Sequence, residues 1–217
     1  EKAQGDLSRR QATYPLCGMS FREYLKLEGL LDYGVLSFEE ILNDHVAIAG
    51  KITSGLTVLP HFEKYLKHGY YPFYRESHAK FRERLVETVN KVLEVDYPPI
   101  DEVSQDTIRK TRKMLLVLAE SCPQTPNMSA LYRELSTGRD QGIKMLKALQ
   151  RAGLLLLVDS KARKLDDLSK PEKIYVGNTN LMNALVPRVD IGVSRETFFY
   201  SQVSKSHCVT YTGVGDF

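Results

Sequence analysis

The chain has 217 residues, of which 42% are apolar and 26% charged, and its formal net charge is only +3; that is enough for one large domain or two small ones with buried cores, and it excludes a disordered chain. Its longest wholly apolar runs, 114–119 and 154–158, fall far short of the roughly 18 residues that suggest a membrane span, and no basic-then-apolar leader opens the sequence, so no membrane partner and no secretion are expected. The three cysteines, Cys17, Cys122 and Cys208, are odd in number, far apart and without a C-x-x-C pair, which fits free thiols and a cytoplasmic location.

In chain order, the stretch GDLSRRQATYPLCGMSFREYL (5–25) reads as the tail of something that precedes it. Ser20 with Glu23, and Ser37 with Glu40, are spaced as capping boxes ahead of two helices. In LTVLPHFEKYLKHGYYPFY (56–74), Pro60 suits a first helical turn and Gly69 a left-handed helix end, with Phe62, Tyr65 and Leu66 facing inward. A longer helix is predicted over 78–95 from Phe81, Leu85, Val89, Val92 and Leu93. Pro98 and Pro99 stop it, and a domain boundary is expected near residue 100. Helices follow at 107–121, 129–135 and 139–152, with Gly153 as the stop of the third. The runs LLLLV and KIYV then read as strands joined by DSKARKLDDLSKPE. Helix, helix, turn, helix, hairpin is the order of a winged helix. Helices at 181–185 and 194–205 come next, and CVTY and VGDF look like the opening of a further hairpin. The expected fold class is mainly α with small β elements: a helical lid region (1–100), a winged helix (101–177) and the start of an α/β nuclease-like domain (178–217).

The modest net charge hides an uneven distribution. Twelve Lys or Arg against four acids fall between residues 109 and 164, and such a block points to an anionic partner. On the third winged-helix helix, Asp140, Lys144, Lys147 and Arg151 share one face, beside an apolar stripe of Ile143, Leu146, Leu149 and Ala152. Together with Arg139, that basic face fits a helix presented to the phosphates or base edges of double-stranded DNA. Lys161, Arg163 and Lys164 sit where a wing tip would lie beside the backbone. The competing reading is an ordinary solvated face, because many winged helices are spacers or contact proteins.

Other signals are weaker. AGKITSG (49–55) fails as a phosphate loop, since His45 and Ile52 stand where a Walker A motif needs Gly and Ser or Thr. His61 and His68, seven apart on one helix, have no evident third metal ligand, and no metal site is expected. Glu196 opens the apolar helix RETFFYSQV, and Asp216 lies in the terminal GDF. A metal-dependent nuclease places a helix Glu and a hairpin Asp around a cation, then adds E-x-K on the next strand; no E-x-K strand follows here, so these two form at most an incomplete site. The plainer readings are a helix-end charge for Glu196 and a turn residue for Asp216.

The motifs GDLSRR…Y.L.GMSFREYL, LPHFEKYLKHGYYPF, KPEKIYVGNTNLMNAL and RETFFYSQV…VTY…GDF, in that order, resemble the later part of a prokaryotic AAA+-type P-loop ATPase family whose second half is described as a domain of unknown function. The resemblance implies a preceding core with Walker A and Walker B, using ATP and Mg²⁺. It also implies that Leu7-Ser8-Arg9-Arg10 closes that core, where Arg10 takes the place of a phosphate-sensing arginine and Arg9 replaces a Gly. It implies too that MSFREYL opens the helical lid. This chain itself, without Walker A or Walker B, is expected neither to bind nor to hydrolyse ATP, and no cofactor is expected in it. The implied partners are the chain's own P-loop core, double-stranded DNA and further copies in a homo-oligomer. The alternative from a different class is a non-enzymatic winged-helix DNA-binding or regulatory module.

Overall fold

The computed structural model describes residues 16–98, 103–121, 127–159 and 171–211. Packing divides the chain into a unit spanning Cys17–His78 and a unit that contains Ala79 onwards.

The first unit is built around aromatic rings. Helix α1 (Phe21–Leu27) and helix α2 (Phe38–Thr53) each begin with the capping box expected from sequence: Ser20 with Glu23, and Ser37 with Glu40. In each, the serine oxygen accepts from the backbone N–H three residues on, and the glutamate returns to the serine N–H. Both thereby satisfy donors that the helix itself leaves open. Helix α2 buries none of its side chains, and its ladder is interrupted at Asp44. Helix α3 (Val58–Lys64) runs into a wide π-helical turn, Tyr65–Gly69, followed by a 3-10 turn, Pro72–Arg75. Tyr24, Tyr65 and Tyr74 are buried, in edge-on or tilted contact, and the Tyr65 hydroxyl donates to Met19 O at 2.7 Å.

Gly69 does not end a helix in the left-handed region. It lies within the wide turn, and a Cβ there would come 2.5 Å from Tyr65 Cδ2 and 2.9 Å from Tyr24 Cδ2. The glycine serves ring packing, a tertiary demand that local turn chemistry does not display.

The second unit opens with α4 (Phe81–Lys91), prolonged by the π-helical turn Val92–Asp96. Phe81, Leu85, Val89 and Leu93 are buried, the four-residue spacing of one helix face. Helix α4 packs against α8 (Thr179–Leu185), and Arg82 Nε donates to Ala184 O at 3.2 Å. The segment that reads from sequence as the end of the lid is thus packed with the later part of the chain.

Next come α5 (Gln105–Ser121), α6 (Met128–Glu134) and α7 (Arg139–Arg151), then strands β1 (Leu155–Val158) and β2 (Lys173–Val176). The strands pair antiparallel, Leu155 opposite Val176 and Val158 opposite Lys173. Gly153, at φ +68°, ends α7 in the left-handed region, as expected of a glycine stop. Helix α5 is central: it touches α7, β2, α8 and the 92–96 turn. Among the described residues the architecture is therefore mainly helical with a small two-stranded antiparallel sheet.

Two later elements begin earlier than sequence spacing indicates. Helix α8 starts at Thr179 because Asn178 caps it, accepting from Leu181 N–H at 3.0 Å. Helix α9 (Ile191–Val203) starts at Ile191 because Asp190 accepts from Gly192 and Val193 N–H. The expected CVTY strand does not form over 208–210; instead Tyr211 N–H donates to Asp159 O at 3.0 Å, just beyond β1. VGDF lies outside the described residues.

Candidate nucleic-acid interface

Helix α7 turns Gly142, Met145, Leu146, Ala148 and Leu149 inward. The buried stripe is displaced from the expected one: Ile143 is half-buried and Ala152 exposed, while Met145 and Ala148 take core places. Gly142 allows close approach to α6, since a Cβ there would stand 2.3 Å from Tyr132 Cε1. Arg139, Asp140, Lys144 and Arg151 are exposed and Lys147 half-buried. The predicted basic side of α7 is thus present on its outer face.

Among the described residues, the cations of the block on α5 are paired with acids. Asp106 pairs with Arg109 at 2.7 Å and Lys110 at 2.8 Å, and these bonds, Lys110 first, hold its carboxyl below the usual range. Lys110 also donates to Ser136 O, tying α5 to the turn between α6 and α7. Arg112 pairs with Glu94, and Lys113 with Glu134 at 3.1 Å. An open cleft of about 510 Å³ lies beside the start of α5, lined by Glu94, Gln105, Asp106, Ile108, Arg109 and Arg112, so both its arginines are already engaged by acids. Neither Lys144 nor Lys147 belongs to an ion pair among the described residues. Lys161, Arg163, Lys164, Arg10 and Asp216 lie outside the described residues.

Glu196 occupies the second turn of α9, not its opening. Its carboxylate accepts from the Tyr175 hydroxyl at 2.8 Å and faces Lys173 Nζ at 3.8 Å. Lys173 also sits 5.3 Å over the Tyr211 ring. Tyr175 stacks on Tyr200, whose hydroxyl donates to Leu157 O at 2.9 Å and is pushed up to about 12, first by burial. Glu196 thereby fastens α9 to the hairpin, a contact between residues 21 apart that local sequence does not signal. Replacing Glu196 by alanine should leave the buried Tyr175 hydroxyl without this acceptor and cost about 1–2 kcal/mol in urea denaturation. Glu196→Gln, which keeps an acceptor oxygen, should cost less than half as much; equal losses would mean that the hydroxyl contact is not what matters.

No group of three His, Cys, Asp or Glu suited to a metal exists among the described residues. His68 faces His78. Ala49–Thr53 of AGKITSG is helical, with its backbone donors directed into the helix, so it does not fit a phosphate cradle. No described helix is long and apolar enough to cross a membrane.

Residues 59–196 match a family described as a domain of unknown function, DUF8612. The chain belongs to the DUF8612 family. The matched region runs from α3 into α9 and so contains α7 and the hairpin. An uncharacterized protein of Methanocaldococcus jannaschii, MJ1637, is 26% identical over 170 residues, which cover 73% of this chain and 36% of that protein. The aligned part therefore spans little more than a third of this relative. No solved structure matches the chain.

Proposed function

We propose that this DUF8612 chain is the later portion of an AAA+-type ATP-binding protein, and that its 101–177 segment is a winged helix that contacts double-stranded DNA through α7. The observation that carries the DNA reading is the contrast between two helices. The cations at the start of α5 are spent on Asp106, Glu94 and Glu134, whereas Lys144 and Lys147 of α7 stand outside the ion pairs of the described residues. A helix whose inner face is filled and whose outer face presents Lys144 and Lys147 suits phosphate contact. The order of three helices and a hairpin supports the winged-helix reading.

The ATPase part rests on the sequence resemblance and is compatible with a relative much longer than the aligned region. In it, a P-loop core outside this chain supplies the Walker A cradle and the Mg²⁺ acid, and Arg10 senses the phosphate. ATP turnover then moves the DNA-contacting segment. The incomplete nuclease-like pair of Glu196 and Asp216 is a secondary part of the proposal, with no cleavage expected from this chain.

The full-length protein is expected to hydrolyse ATP, and Arg10→Ala to lower turnover by a factor on the order of 10³. An unchanged rate in that variant would remove Arg10 from the mechanism. A full-length protein without ATP binding in calorimetry would remove the ATPase reading and leave a DNA-binding module alone.

A further inference from the structure

The Cys17–His78 unit holds a cluster of rings that the DNA and ATP readings do not use. The imidazoles of His68 and His78 meet edge-on with centroids 5.1 Å apart. Tyr74 closes the triangle, 5.4 Å from His68 and 5.2 Å from His78. The Tyr74 hydroxyl donates to the Glu28 carboxylate, which also lies 3.9 Å from Arg75. Glu28 is the residue on which α1 ends, and Gly29 after it is in the left-handed region. One carboxylate thus joins the end of α1 to the 3-10 turn by way of the ring cluster.

We propose that this cluster is an acid-sensitive latch, in which Glu28 holds Tyr74 while His68 is neutral and shifts toward the imidazolium when His68 takes up a proton. The charged groups around His68 pull in opposite directions. His78, Lys64 and Lys67 oppose a positive charge there, and Glu28 is the acid that favours it. The carboxylate that favours a proton on His68 is the one that Tyr74 holds. The hydroxyl, itself pushed upward by burial and by Glu28, stays protonated and in need of an acceptor.

Burial first, and then His78, set the His68 pKa below its ordinary value of about 6.5. A histidine lowered in the folded state contributes stability that is fully present above the unfolded value and is lost as pH falls through the folded one. The latch is accordingly closed at neutral pH and opens on the acid side of the ordinary histidine range.

The chain has five histidines, twelve tyrosines and no tryptophan, so histidine ring NMR reports the proton, and near-UV circular dichroism reports tyrosine packing. In the full 217-residue chain, a tyrosine dichroism change is expected to track the His68 titration. His78→Asn should raise the His68 midpoint by removing a like charge. Glu28→Gln should lower it and abolish the coupled dichroism change. His78 is exposed, so its variant is expected to fold even if His68→Phe, used for assignment, does not. Dichroism that stays flat through the His68 titration would overturn the latch, as would a midpoint that neither His78→Asn nor Glu28→Gln moves.

Discussion

Gly177→Ala is expected to destabilise the second unit by about 3 kcal/mol, at the upper end of ordinary overpacking. Gly177 follows β2 directly and crosses the turn that carries α7 into β1. A Cβ there would lie 1.9 Å from Gly153 O, 3.0 Å from Gly153 C and 3.3 Å from Leu154 C. Those are backbone atoms, which cannot rotate aside as a side-chain end would. Gly153 is itself fixed at φ +68°, and Gly177 N–H donates to Leu154 O at 2.9 Å. To admit the methyl, the end of β2 must part from the exit of α7, weakening the hairpin where Leu155 faces Val176. In a chain of this size the loss corresponds to a fall of roughly 6–12 °C in Tm. A melt within a degree of the unsubstituted protein would mean that this crossing is looser than the geometry indicates.

The parts of the fold legible in the sequence are those governed by local rules. Ser20 with Glu23, and Ser37 with Glu40, cap their helices because a capping box is complete within four residues. Gly153 stops α7, and the apolar spacing of Phe81, Leu85, Val89 and Leu93 places α4. The parts not legible depend on partners distant in sequence. Gly69 makes room for the Tyr24 and Tyr65 rings, and no local pattern distinguishes that from a helix stop. The starts of α8 and α9 are displaced from the apolar spacing by the capping side chains of Asn178 and Asp190, which lie ahead of the periodic residues.

The candidate interface shows the same division. A count of charges finds the basic block but does not see that Arg112 pairs with Glu94, 18 residues earlier, or Lys113 with Glu134, 21 residues later. Four of its cations, all on α5, are thereby committed to acids, whereas Lys144 and Lys147 belong to no ion pair among the described residues. Glu196 stands out in the sequence as a carboxylate on an apolar helix. Its partners Tyr175 and Lys173 come from a strand that only the packing of α9 on the hairpin brings near.

Lys144→Ala, Lys147→Ala and Arg151→Ala combined are the second substitution with a large expected effect. Lys144 and Arg151 are exposed and Lys147 half-buried, while the buried side of α7 stays intact, so the variant should fold. A cation on a phosphate displaces a condensed counterion, so removing each cation should make the slope of log K against log salt shallower by about 0.9. Removing all three amounts to about 2.7. The most direct test is fluorescence anisotropy of a labelled DNA duplex titrated with the 217-residue chain across a salt series, with the triple variant alongside and circular dichroism confirming its fold. Duplex binding through α7 predicts a steep slope for the unsubstituted chain and a clearly shallower one for the variant; the same slope in both, or no duplex binding at low salt, would contradict it.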